Sequence, residues 1–427
     1  MKRQNINSIF YFFESIKSFP LAVICKFITF ALTRLWHRRA MRRKTKRMRH
    51  FGIFILFAAL LLSGCAKDDM ILQDTEDITN QDDDNTTAVL DDNYTYKLPV
   101  IFHVLYTDDN DSVRTLATRL PNILRKVNEL YQGNIYGWRG VYSENINVDL
   151  QLAKTDESGN ALATPGVEFV KWNGRMPIEA GSFMTSKNSN LIWEPNEYVN
   201  VMVFPFEQNT KGSIILGISH MPYTISDSTK LDGLEETTHN YLWKGNLNFP
   251  YCVSINSEYL YCESTRYDDP EHGRKKYVYD SRDIVATLAH EIGHYLGLHH
   301  VFTEEKTGSG ASAAYSSVDD CYDTDYCDDT PSYNKKEHND SLSQMPKGTP
   351  MSLYVKRHSC DGTEFDSDNI MDYSVGYAFQ FSKEQKARMR HVLYYSPLIP
   401  GPKRNNANKT TRSANGEIVN LPIVTSE

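Results

Sequence analysis

The sequence lacks an apolar run long enough to cross a bilayer as a helix. The run Phe51–Leu62 has twelve residues, against the roughly twenty that a membrane span needs. A weaker stretch, Pro20–Leu32, is broken by Lys26. No segment repeats, which excludes a solenoid. The cysteine spacing does not match a four-cysteine zinc site. Bases are scarce in the body of the chain. Thirteen of the 46 Lys/Arg and one of the 54 acids, Glu14, fall in residues 1–50, leaving 33 bases against 53 acids and a net charge of −20. An acidic body argues against nucleic-acid binding by the folded part. What is present is apolar and aromatic content, at 40% and 12%, enough to bury a sizeable core.

The basic head reads as a targeting segment. Met41–His50 (MRRKTKRMRH) forms a positive region, Phe51–Leu62 has the length of a signal-peptide apolar core, and Leu62-Ser-Gly-Cys65 follows. That tetrapeptide resembles the bacterial lipobox, whose cysteine is acylated and becomes the first mature residue. Residues 1–64 are therefore expected to be a basic head and lipoprotein signal peptide, with Met41 or Met48 as the true start. Residues 65–94 then form a lipidated cysteine, Cys65, and an acidic tether. Twenty-eight coil residues reach about 30 Å. Lys67-Asp68-Asp69 resembles an outer-face export signal, which would give an exported protein lipid-anchored at the bacterial outer membrane and displayed on the cell surface; the alternative is an ordinary solvated linker.

Residues 95–400 read as the folded domain and 401–427 as a polar C-terminal tail. Lys97–Tyr106 is a strand by its β-branched and aromatic content. Leu116–Tyr131 has helical spacing, with Leu120, Ile123, Leu124, Val127 and Leu130 on one face and a regular start expected at Pro121. Ile146–Leu152, Tyr198–Phe206 and Ser213–His220 are further strands, and Asp283–Leu296 is a helix. That order predicts a mixed sheet with helices packed on it.

The chemistry concentrates in Ser281–His300. Asp280 or Ser281 can cap the helix and Asp283 suits its first turn. Ile284, Leu288, Ile292 and Tyr295 fall on one face and belong to the core. His290 and His294 lie one turn apart on another face, so two imidazoles can reach one metal ion. Glu291 is one residue off and can address a water instead. Gly297 can adopt the left-handed conformation that ends a helix, and the reversed chain then returns His300 to the same ion. Three neutral imidazoles with a fourth position open is the arrangement of a catalytic zinc site. The five-residue pattern arises by chance in a chain of this length on the order of 10⁻⁴ times or less.

This stretch resembles the metzincin clan of metallopeptidases, whose second mark is a methionine turn. Asn369-Ile-Met-Asp-Tyr-Ser374 fits it, with Met371 as the turn methionine. The closer resemblance is to the pappalysin family, which includes the archaeal enzyme ulilysin. It rests on the opening strand, the Leu298-His-His-Val-Phe302 exit, the Asp328-Asp-Thr-Pro331 loop, and Asn369–Ser374 with Phe381–Met389. The resemblance implies an α+β zinc peptidase with a twisted mixed β-sheet, an active-site helix and an irregular lower subdomain holding the Met-turn. It implies Zn2+ on His290, His294 and His300, Glu291 as general base, Tyr373 as an oxyanion donor, and protein or peptide substrates. Some family members are kept latent by a propeptide cysteine; the tether here contains only Cys65, which should be acylated, so that device is not expected in this chain.

The acids Asp319, Asp320, Asp323, Asp325, Asp328, Asp329, Asp366 and Asp368 form two dense clusters. Oxygen-rich loops can hold Ca2+, as members of the family do nearby; the alternative is ordinary solvated loops. Export permits disulfides: Cys252 with Cys262, and Cys321 or Cys327 with Cys360, leaving one thiol over. Two rival functions stand beside the peptidase: a surface binding or adhesion lipoprotein with a relic zinc site, and a zinc hydrolase of non-peptide bonds.

Overall fold

The computed structural model describes residues 93–107, 111–134, 142–208, 214–264, 280–308, 314–373, 375–404, 419, 421 and 423–426. The targeting segment, Cys25, Cys65 and nearly all of the tether lie outside them. Among the described residues no helix is long and apolar enough to cross a membrane.

Thirteen strands are described: β1 Tyr96–Tyr106, β2 Val148–Leu152, β3 Val167–Lys171, β4 Val199–Phe204, β5 Gly217–His220, β6 Tyr223–Ile225, β7 Glu235–Thr237, β8 Val253–Asn256, β9 Glu304–Thr307, β10 Ala314–Ser317, β11 Lys356–His358, β12 Glu364–Asp366 and β13 Ile423–Ser426. The helices are α1 Asp111–Ala117, α2 Leu120–Tyr131, α3 Ala180–Thr185, α4 Ile284–Tyr295, α5 Lys335–Ser343, α6 Met351–Tyr354 and α7 Lys383–Tyr395.

Nine strands form one mixed sheet in the order β2-β1-β4-β8-β5-β13-β10-β9, with β3 also on β1. β1 pairs in parallel with β2, β3 and β4. Val100 to Leu105 are buried without interruption, as expected of a parallel strand covered on both faces. β5 reverses the direction by pairing antiparallel to β8.

α2 starts at Leu120, one residue before Pro121, whose missing N–H suits a first turn. It packs beside α4, where the Tyr131 hydroxyl donates to the Ala289 carbonyl at 3.0 Å. α4 lies between α2 and strands β5 and β8, and all of its residues but Ala286 are buried. The expected face of Ile284, Leu288, Ile292 and Tyr295 is fully buried. The cap differs from expectation. Asp283 itself is the N-cap, accepting from the Val285 and Ala286 amides at 2.9 and 3.3 Å. Its second oxygen takes the Ser264 amide, which fixes the helix entry from outside.

Two other expectations are corrected. The chain beyond residue 401 does not end as a loose tail throughout: Ile423–Ser426 enters the main sheet between β5 and β10. Cys252 and Cys262 do not pair. The Cys252 thiol points into the core, 3.7 Å from Met184 Sδ and Ser254 Oγ, while Cys262 sits past the turn Ser257–Tyr259, beside Asp280. The disulfide is Cys321–Cys360. Cys252, Cys262 and Cys327 are buried thiols, three rather than one.

Candidate metal centre

α4 ends in a Schellman motif. Gly297 takes φ +93°, the Leu298 amide donates to Gly293 O at 3.0 Å and the Gly297 amide to His294 O at 2.8 Å. A side chain on Gly297 would be strained and would meet Val392 at 2.7 Å. The reversal is held from outside by Arg388 of α7. Its Nε donates to Gly297 O at 2.6 Å and its Nη2 to Asp232 O at 2.7 Å. His300 thereby returns to the helix.

The Nε2 atoms of His290, His294 and His300 lie 2.9, 3.0 and 3.2 Å apart. Each Nδ1 faces an acceptor: Ile370 O, Leu298 O and Glu304 Oε2, all at 2.7 Å. Each Nδ1 must therefore carry the proton, and the three Nε2 lone pairs point at one another. Three acceptors converging in a buried pocket repel unless a cation lies between them. Tetrahedral zinc places nitrogen ligands about 3.3 Å apart, given bonds near 2.0–2.1 Å. The donor set therefore fits zinc. Burial pushes the His290 imidazole down to about 4, and burial with mutual repulsion holds His294 and His300 well below the usual range. All three are neutral ligands at neutral pH. Among the described residues this is the one His/Cys/Asp/Glu group that could hold a metal ion.

Two glycines shape the pocket. A Cβ on Gly293 would meet Met371 Sδ at 2.5 Å, so its absence lets the turn methionine pack beneath the helix. A Cβ on Gly217 of β5 would lie 2.5 to 2.8 Å from Oε1, Cγ and Cδ of Glu291. The strand thus abuts the carboxylate. Gly217→Ala should displace Glu291 and lower kcat by roughly 10²-fold, the effect of about an ångström of misplacement, with zinc content unchanged. An unchanged kcat would show that the close approach does not matter.

Tyr373 packs its ring on His300 and His290, with centroids 4.3 and 5.5 Å apart. Lys335 Nζ stands 3.6 Å over that ring. The turn itself is built on a buried pair. Asp372 accepts from Tyr333 and Ser367 hydroxyls at 2.5 Å and lies 3.2 Å from Arg357 Nε. Glu304 is a further residue that composition did not single out. It is 4% exposed and accepts from the third histidine. Such partners fix ligand tautomer and orientation. Glu304→Gln should weaken zinc affinity about 10-fold or more, read by competition with a chromogenic chelator; an unaltered affinity would reduce Glu304 to packing.

The acidic residues do not converge. Asp319 pairs with Lys336, Asp366 with Lys356, and Asp329 caps α7 through the Ser382 hydroxyl and Glu384 amide. Asp325, pushed up to about 8 by burial, accepts from the Thr330 hydroxyl and the Cys327 amide. Asp368 is pushed up to about 6, also by burial.

Residues 273–394 match the Peptidase_M43 family model, described as pregnancy-associated plasma protein-A. That segment is similar to the pappalysin family. An extracellular metalloprotease of Arthroderma otae is 37% identical over 105 residues, 24% of this chain and 29% of that protein. Extracellular metalloprotease 1 of Coccidioides posadasii is 34% identical over 110 residues, 25% of this chain and 30% of the relative. The chain thus spans less than a third of the length of these curated relatives. Mature mirolysin of Tannerella forsythia in complex with a cleaved peptide aligns at 20% identity and a TM-score of 0.42, over 69% of this chain and 90% of that one. The family segment takes in the three histidines, Glu291, the Met-turn and α7, whereas β1 to β8 precede it.

Proposed function

We propose that this chain is a zinc-dependent metalloendopeptidase that hydrolyses peptide bonds with Glu291 as general base. The observation that carries this reading is the convergence of three Nε2 lone pairs one residue from a carboxylate. The similarity of residues 273–394 to a peptidase family model supports it. His290, His294 and His300 would hold zinc, which supplies Lewis acidity and lowers the pKa of a water toward about 7. Glu291 takes a proton from the attacking water and passes it to the leaving amine. Tyr373, edge-on to His300 and tilted against His290, donates to the oxyanion as it develops. Nδ1 contacts keep each imidazole in the tautomer that can ligate. Purified protein should contain about one zinc and cleave casein, and 1,10-phenanthroline should abolish cleavage. Casein cleavage that survives metal removal would overturn the assignment.

We infer also that the enzyme is displayed as a lipoprotein through Cys65. The lipobox-like Leu62–Cys65 supports this, and relatives named extracellular agree with export. Labelled palmitate should enter the parent chain and not Cys65→Ser; equal labelling would refute the anchor.

A further inference from the structure

The C-terminal strand lies where it should not if the site were open. β5 pairs with β8 on one side, so its other side would be a bare sheet edge facing the metal centre. β13 fills that edge, antiparallel to β5, with Ile423 opposite His220 and Ser426 opposite Gly217. Gly217 is the residue that abuts Glu291. The strand therefore runs toward the general base. On its far side β13 pairs with β10 at Ala314, and β10 pairs with β9, the strand that carries Glu304. One extended segment thus bridges β5, which abuts Glu291, and β10, whose other neighbour carries the partner of His300, and it sits beside α4.

Exposure agrees. Glu291 and His294 are 0% exposed, His300 2% and His290 4%. The base and the three histidines are thus nearly covered in this arrangement. Val424, 1% exposed, packs into the main core and holds the strand in place, and the Val419 amide anchors the segment on Asn246 O at 3.0 Å. An open edge strand recognises any extended peptide through its main chain. The slot therefore fits an extended segment with a β-branched residue at the position of Val424.

We propose that Ile423–Ser426 acts as a tethered occluding strand, occupying the sheet edge that extended substrates would use. This rests on the peptidase reading of the same site. A tethered segment acts at an effective concentration in the millimolar range. Even a strand with weak intrinsic affinity, about 100 µM, then suppresses turnover about 10-fold.

The test uses the full chain in two forms. In one, a recognition site for an unrelated protease is placed within residues 405–418, so that the segment can be cut and washed away. In the other, Val424→Pro removes a strand amide and disfavours pairing. A fluorescent peptide of residues 419–427 (VNLPIVTSE) serves as the binding probe, and zinc content and near-UV circular dichroism report on fold. Expected are about 10-fold faster casein cleavage by both forms, peptide binding to the cut and washed protein but not to the uncut one, and renewed inhibition on adding the peptide. Unchanged or slower cleavage by zinc-loaded protein, or failure of the peptide to bind, would make β13 a permanent part of the sheet and overturn the proposal. If no form cleaves anything, the peptidase reading fails, and peptide binding still decides the occupancy of the slot.

Discussion

Glu291→Gln should hold zinc as the parent chain does and cleave casein about 10³-fold or more slowly. Positioned acid–base groups contribute on the order of 10² to 10⁴-fold, and this one serves twice, in attack and in departure. Glutamine keeps the shape that Gly217 accommodates, so packing against β5 survives. It loses only the ability to accept and return a proton. The zinc ligands are separate side chains whose Nδ1 partners do not include Glu291, so metal content should not move. The measurement is kcat/KM alongside bound zinc. A variant that lost zinc as well would point to a structural part for the carboxylate, and one with near-normal kcat/KM would remove it from the chemistry.

The second large effect lies beneath the metal. Asp372→Ala should cost about 3–5 kcal/mol, the usual consequence of leaving one partner of a buried ion pair alone. Arg357 is 0% exposed. With Asp372 gone it keeps the carbonyls of Tyr354, Lys356, Tyr373 and Val375 at 3.1 to 3.4 Å and the Tyr333 ring, but no counter-charge. The Tyr333 and Ser367 hydroxyls lose their acceptor together. Urea unfolding of the single variant and of Asp372→Ala combined with Arg357→Leu measures this. The double variant should recover part of the loss, because it removes the stranded charge. A single-variant cost below about 1 kcal/mol would mean that water reaches the guanidinium.

The metal centre was legible in the sequence because its geometry is local. An i,i+4 pair and a glycine at a helix end constrain position within a dozen residues, and the helix, its turn and the third histidine follow. The Met-turn was legible through resemblance alone, since nothing in its six residues says what they pack against. Long-range partners were not legible. Arg388 reaches Gly297 across 91 positions, and one basic residue in an amphipathic helix looks like any solvated one. β13 is four residues following a polar stretch, and its two neighbours lie more than a hundred residues away. Cys252 and Cys262 are close in sequence but are separated by the end of a strand and a tight turn, so proximity along the chain misled. Gly217 carries no signal except its lack of a side chain, which matters only once Glu291 is opposite it.

The Arg388 contact ties the end of α4 to chain that follows it. The turn at Gly297 is closed by local amides, but the side chain that clamps it from outside is synthesised 88 residues after His300. During synthesis the third histidine therefore meets the other two on a turn that still lacks its clamp, and α7 later tightens a geometry already set.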